Sequence, residues 1–367
     1  MAFSSPFIFF NLSLLITIFL SFCGTDPVSS CYTSIFSFGD SLTDTGNYLY
    51  IYNSSNIGNF PYGETYFHHP TGRCSDGRVL VDFIEHSSSI WTSFASTISR
   101  MFGRSRSSAG SEFCCRGGHC DRCRLLRREE DWRGDCKRIF GRSALVVQRT
   151  VAFSLPLTIR GSLFLVGEIG INDYFYLFNN GSSLEVIRTY VPQVVSTIGS
   201  AVHTLIERGA MTLVVPGGPP IGCSALILTI GASLNKDDYD KETGCLKRWN
   251  ELVQYHNDRL QIELDRMRDL HPHATIIYAD YYNAAFRVFR SPLQFGFSKG
   301  ALSACCGAGG PYNYNSSFGC GTHEARVCKD PSLYFNWDGG HPTEAGHRLI
   351  ADAVISGPYD LLVHACH

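Results

Sequence analysis

Four short apolar runs punctuate the chain, each closed by a glycine or an acid: "SIFSFGD" (34–40), "SLFLVGE" (162–168), "MTLVVPG" (211–217) and "ATIIYAD" (274–280). They are too short for helices and apolar on both alternating positions, which predicts strands buried on both faces. Between and after them the period changes. "SLEVIRTYVPQVVSTIGSAVHTLIERG" (183–209) repeats its apolar residues every three or four positions and stops at Gly209, and "CLKRWNELVQYHNDRLQIELDRMRDLHP" (245–272) does so up to Pro272. A further helix is expected straight after His341, with Pro342 in its first turn. Strand–helix alternation of this kind predicts a central parallel sheet with helices on both faces, a three-layer α/β/α sandwich. Ligands of such sheets gather outside the carboxyl ends of the strands, and Ser41 and "GEIGIND" (167–173) fall at two of those ends.

Two stretches fall outside the pattern. Residues 1–30 carry one apolar run, Phe7 to Phe22, followed by small residues, which predicts a secretory signal peptide cleaved between about 23 and 30. The run is shorter than the ~20 residues a membrane span requires, so no stable membrane insertion is expected after cleavage. From about 86 to 160 the chain turns rich in Arg, Cys and Ser and keeps neither a period of 2 nor one of 3.6. "CCRGGHCDRC" there has the Cys120–Cys123 spacing of a zinc site with His119 beside it, but no second matched pair, and its arginines alternate with acids. Neither a metal site nor a basic binding arm is expected from it. The rest, 31–367, reads as a single domain.

A formal charge of −2 with 44% hydrophobic residues describes a globular chain with no pull toward nucleic acid, whose partner is a small neutral molecule and which is expected to be a monomer. Secretion changes how the 15 cysteines are read, since an oxidising compartment favours disulfides. Cys305, Cys306, Cys320 and Cys328 are expected to staple the loop between them, with the pairing left open. Sequons at Asn53, Asn180 and Asn315 fit glycosylated surface loops.

The candidate chemistry begins at "FGDSLTDTGN" (38–47), where Ser41 is either a nucleophile or only a helix cap. A serine hydroxyl needs a base to take its proton and donors for the oxyanion. "YFNWDGGHPTEAGHRLIADAVI" supplies a base: Asp338 and His341 flank two glycines, so a tight turn can bring the carboxylate to one ring nitrogen while the other faces out. For the oxyanion, the Ser41 backbone N–H at a strand-to-helix turn and the Asn172 side-chain amide are candidates, with Asp173 next to Asn172 to orient it. His68 and His69 read as loop residues, and His347 as a surface residue of the last helix. A chymotrypsin-like reading of "GDS" fails because Leu42, not glycine, follows Ser41; G-x-S-x-G, H-E-x-x-H and the P-loop are absent.

Together with "FPYGETYFHHPTGRCSDGR", "LVVPGGPPIGC" and "CCGAGGPYNYN", these motifs resemble the secreted plant branch of the GDSL esterase/lipase family of SGNH hydrolases, over 31–85 and 161 to about 360. The resemblance implies a flavodoxin-like α/β/α fold and ester hydrolysis through an acyl-enzyme, with no metal or organic cofactor. It makes Ser41 the nucleophile, His341 the base and Asp338 its partner; Ser41 N–H and Asn172 are oxyanion donors, and Asp40, Gly170 and Asp173 support them. Members of the family carry a further strand and glycine loop where this chain has 86–160, and no such loop is found there. As written, the chain is expected to lack an interior strand and one oxyanion donor, which leaves a catalytically impaired ester-binding protein as the alternative to a working esterase. The segment has the length of that block with a foreign composition, as expected of a stretch read out of frame. Sequencing the transcript should restore a glycine-loop block in another frame; an in-frame cDNA encoding the present segment would remove the idea.

Overall fold

The computed structural model describes residues 32, 34–51, 55–87, 111–114 and 159–355, with only the backbone at 51, 86, 87 and 111–114. The expected signal peptide, the sequon at Asn53 and most of 86–160, including Cys120 and Cys123, lie outside the described residues. Strand β1 (Ser34–Gly39) is followed by the short helix α1 (Asn47–Ile51) and by α2 (Leu80–Ser87). Next come β2 (Ser111–Cys114), β3 (Ser162–Val166), α3 (Ile171–Asn179) and the long α4 (Leu184–Glu207). β4 (Thr212–Pro216) leads into α5 (Ala225–Ile230), α6 (Lys247–Leu270), β5 (Thr275–Ala279) and α7 (Tyr281–Arg290). The short strands β6 (Gly300–Ala304), β7 (Cys306–Gly307), β8 (Arg326–Val327) and β9 (Tyr334–Asn336) precede α8 (Glu344–Ile355).

All four apolar runs are strands of one parallel sheet in the order β2-β1-β3-β4-β5. Their alternation shows why both faces had to be apolar. Phe36, Phe38, Phe164, Val166, Leu213 and Val215 point into a core shared with α4 and α6. Ile35, Leu163, Leu165, Val214 and Ile277 point into a second core shared with α2, α7 and α8. Each such side chain stabilises the fold by roughly 1.5–3 kcal/mol when fully buried. The chain reverses its direction of winding between β1 and β3, so the crevice at the carboxyl ends of these two strands is where a ligand fits.

Three sequence expectations change. First, the sheet has no gap beside β1: Ser111–Cys114 pairs with it in parallel, Phe36 opposite Ser111 and Gly39 opposite Cys114. Among the described residues it is the edge strand, so the strand expected to be missing from the interior stands at the rim, where one row of backbone groups can face solvent. Second, the last helix begins at Glu344 rather than Pro342, because the Thr343 hydroxyl accepts the Gly346 N–H at 3.1 Å and caps it. Third, His347 is fully buried, not a surface residue. It lies on the inward face of α8 with Gly346, Ile350 and Ala351, and neither ring nitrogen has a partner among the described residues.

Loops after β6 are stapled by Cys305–Cys328 and Cys306–Cys320, which settles the pairing left open by the sequence, and Cys223–Cys245 ties the start of α5 to that of α6. Closing loops of this length stabilises by about 3 kcal/mol each. Cys305, Cys306 and Cys320 also build a third small core with Ile57, Tyr62 and Trp337.

Burial pushes His347 down to about 3 and His256 down to about 4. Their folded pKa values lie below the unfolded value of ~6.5, so the unfolded chain binds more protons in acid. The contribution of each histidine to stability is expected to be level above about pH 6.5 and to fall below it by about 1.4 kcal/mol per pH unit. Urea unfolding at pH 7.5 and pH 5 should show His347→Leu losing about 2 kcal/mol less than wild type across that interval; parallel losses would mean that His347 is already charged in the fold.

Candidate active site

"DGGH" folds into a turn because the Asp338 carboxylate fills its own loop: Oδ1 accepts the Gly340 and His341 N–H groups, both at 3.0 Å. Gly339 has φ +98°, and a Cβ there would stand 2.4 Å from the Tyr314 ring, so the turn takes only glycine at that position. The same carboxylate reaches the His341 ring, with both oxygens 2.8 Å from Nδ1. Its Oδ2 also accepts the Tyr62 hydroxyl at 2.8 Å. With Nδ1–H donating to Asp338, Nε2 is left as the acceptor and lies 2.7 Å from Ser41 Oγ. Ser41, Asp338 and His341 are thus brought together across 300 residues of sequence.

Ser41 sits in the turn that ends β1, not at the start of a helix. The cap of α1 is Asp44, whose Oδ1 accepts the N–H groups of Gly46 and Asn47 at 2.9 and 2.7 Å and whose Oδ2 accepts that of Tyr48 at 2.9 Å. Ser41 is therefore not the cap of α1, and its hydroxyl is left to His341. No helix N-terminus lies immediately behind the Ser41 N–H.

Asn172 stands at the start of α3 with its amide beside this turn, oriented by Asp40 rather than by Asp173: Nδ2 donates to Asp40 Oδ2 at 2.8 Å. Asp40 Oδ1 accepts the Leu42 N–H at 2.9 Å. Asp173 is buried on α3, and burial pushes its carboxyl up to about 7. Gly170 has φ +119° and a Cβ there would approach Val194 to 2.8 Å, so it lets the chain turn from β3 into α3 against the α4 core. At the ends of β1 and β3, the Gly167 N–H donates to the Phe38 carbonyl, and a Cβ on Gly167 would fall 2.2 Å from that oxygen. This close approach brings Glu168 against Asp40.

Three contributors escaped the sequence reading. Tyr62, from "FPYGETYF", packs edge-on against Trp337 and holds Asp338. Arg78 bonds Glu344 through its guanidinium at 2.7 Å and its N–H at 2.9 Å, and the Glu344 N–H donates to Asp76 at 2.7 Å, strapping the 60–78 loop to the helix behind His341. Glu168 is 2% exposed, and its burial beside Asp40 raises its pKa well above the ordinary range. The signal available for it was an acid placed straight after a fully apolar strand. His68 and His69 are loop residues bonded to nearby carbonyls, as expected.

A cleft of about 290 Å³ opens beside Ser41, with Ile171, Phe175, Ile221, Leu226 and Ile227 among its walls. Its surface is mainly apolar, and Ser41, Asn172 and His341 are among its polar lining residues, with Asp40 and Glu168. That arrangement can bind an apolar group and present an attached carbonyl to Ser41. A separate trio with metal-ligand chemistry, His203, Glu207 and His271, lies where α4 and α6 end, ahead of β4 and β5. His203 Nδ1 and His271 Nε2 are 2.8 Å apart, which a single N–H···N bond accounts for. No helix of the described residues is long and apolar enough to cross a membrane.

Comparison with known proteins agrees with this geometry. Residues 35–354 match the family described as GDSL-like Lipase/Acylhydrolase. A GDSL esterase/lipase of Arabidopsis thaliana is 41% identical over 360 residues, covering 94% of this chain and 88% of that one. A second from the same plant is 42% identical over 343 residues, covering 89% and 83%. Among solved structures, an α/beta hydrolase from the metagenome of Lake Arreo, Spain, aligns over 90% of this chain and 96% of that one, with 15% identity and a TM-score of 0.37, too distant to carry weight.

The hydrogen bond from Tyr62 sets one of the Asp338 oxygens, so its loss should loosen the imidazole without removing it. Tyr62→Phe is expected to lower kcat on an ester substrate roughly three- to tenfold, the worth of one bond of about 0.5–1.5 kcal/mol, with KM little changed. An unchanged kcat would show that the Asp338 turn holds itself.

Proposed function

Because the chain belongs to the GDSL-like lipase/acylhydrolase family and is a carboxylic ester hydrolase by that membership, we propose that it works through an acyl-enzyme on Ser41 with His341 as base. The observation that carries this reading is the unbroken chain of contacts from Ser41 Oγ through His341 to Asp338, at 2.7 and 2.8 Å, beside a mainly apolar cleft. His341 Nε2 takes the hydroxyl proton as Oγ attacks the ester carbonyl, and Asp338 holds the ring in the tautomer that makes this possible. The oxyanion is met by the Ser41 N–H and by the Asn172 N–H that is not donated to Asp40. Collapse of the intermediate expels the alkoxide, which leaves with the proton from His341, and water then repeats the sequence to release the acid.

The cleft walls favour an apolar acyl group over a polar one. The chain acts as a secreted monomer, cleaved somewhere between about 23 and 30, with glycans on Asn180, which is exposed, and Asn315. The glycine-loop donor that this chain is expected to lack would fall in 86–160, most of which lies outside the described residues, and the family match extends across that block. If the block is genuine as written, the Ser41 and Asn172 donors act without a third, and the impaired, ester-binding alternative becomes the better description.

Purified protein assayed on p-nitrophenyl esters of increasing acyl length should turn over, with Ser41→Ala reduced to the rate of buffer. Asn172→Ala is expected to lose roughly 10²–10³ in kcat while KM changes little, since its N–H acts in the transition state. Equal rates for wild type and Ser41→Ala would leave only an ester-binding protein.

A further inference from the structure

The residue that completes the oxyanion machinery is one that no motif singles out. We infer that Glu168 is a positioning residue for the oxyanion donor: it carries the single proton of a two-carboxyl pair with Asp40, leaving Asp40 as the anion that fixes the Asn172 amide. The inference rests on the esterase reading above. Asp40 and Glu168 are 6% and 2% exposed, line the same cleft beside Ser41, and are brought together by the Gly167–Phe38 contact between their strand ends. Two carboxyl groups buried together cannot both be charged, so one proton lies between them. The surroundings decide which group keeps it.

Asp40 accepts the Leu42 N–H at 2.9 Å and the Asn172 amide at 2.8 Å, both of which favour its anion. Glu168 faces two carboxyl groups, Asp40 at the end of β1 and Asp173 on α3, both of which oppose a charge on it. The other titratable groups around Glu168 are Tyr174 on α3 and Tyr281 at the start of α7, both held neutral by burial. Glu168 Oε1 has no partner among the described residues, which suits a neutral acid better than a carboxylate. The proton therefore belongs to Glu168.

Its consequence falls on Asn172. A primary amide has nearly the same shape with its oxygen and nitrogen exchanged, and only the acceptor it faces fixes the choice. The Asp40 anion accepts one N–H and repels the carbonyl, so the second N–H stays directed at the developing oxyanion. Were Glu168 to ionise as well, a second negative charge would stand next to that oxyanion and next to Asp40, opposing the reaction.

Glu168→Gln keeps the shape and a permanent donor to Asp40 but cannot ionise, whereas Glu168→Ala removes the donor. With the full chain and a p-nitrophenyl ester between pH 5 and pH 10, the Gln variant should stay within about threefold of wild-type kcat at pH 7 and hold its rate further into alkali. The Ala variant should lose about tenfold in kcat with KM little changed. A Gln variant as slow as Ala at pH 7, or an Ala variant as fast as wild type, would overturn the assignment.

Unfolding in urea over the same range gives a readout that needs no catalysis. A folded-state pKa raised above the unfolded value of ~4.3 means that the folded chain binds the extra proton, so this stabilising contribution is complete below ~4.3 and is lost as pH rises through the folded value. The Gln variant should lack that decline. Curves for wild type and Gln variant that run parallel place the proton elsewhere and sink the inference. A wild type no faster than Ser41→Ala removes the esterase reading and the oxyanion role with it, while the stability curves still decide where the proton sits.

Discussion

A hydrogen bond of 2.7 Å between Ser41 Oγ and His341 Nε2 is the constraint on which the rest of the structure depends, because its two ends are 300 residues apart and tolerate almost no misplacement. Ser41 is fixed by the sheet, at the end of a strand buried on both faces. His341 is not on a strand, so its turn has to be held from several sides. The carboxylate of Asp338 fills the turn, Tyr62 pins the carboxylate, and the Arg78–Glu344 pair fastens the following helix to the loop that carries Tyr62. Two disulfides brace the wall behind Trp337.

The carboxyl groups around the nucleophile are sorted by their surroundings rather than by their type. Asp338 meets backbone N–H groups, a phenol and an imidazole, and serves as a charged acceptor. Asp40 and Glu168 meet each other, and burial raises both. On the reading proposed above, the same side-chain chemistry gives an anion beside the His341 ring and a proton-sharing pair beside the Asn172 amide. Both depend on how few water molecules can reach the ends of β1 and β3, where two glycines bring the strands into contact.

Much of the site was legible in the chain because its parts are local. "GDS" at a strand end, "DGGH" as a self-filling turn and "GIND" opening a helix are each specified by neighbours a few residues away. Tyr62 and Glu168 were not, since a tyrosine in a loop and an acid after a strand acquire a role only when a distant element closes over them. His347 misled for the same reason: on an isolated helix it reads as polar and exposed, and only packing against the sheet buries it. The strand found between 86 and 160 was not legible because that stretch keeps no period of 2, and only its pairing with β1, at the rim of the described sheet, reveals it.

The amino-acid sequence alone determined the alternation of strands and helices, and hence a parallel sheet with its chemistry at the carboxyl ends, because hydrophobic period and glycine placement act over a few residues. The disulfide pairing, the partner of the Asn172 amide, the burial of His347 and the protonation of the carboxyl pair were decided only by the tertiary structure. These depend on distance and on exclusion of water, and neither exists until segments far apart in the chain are packed together.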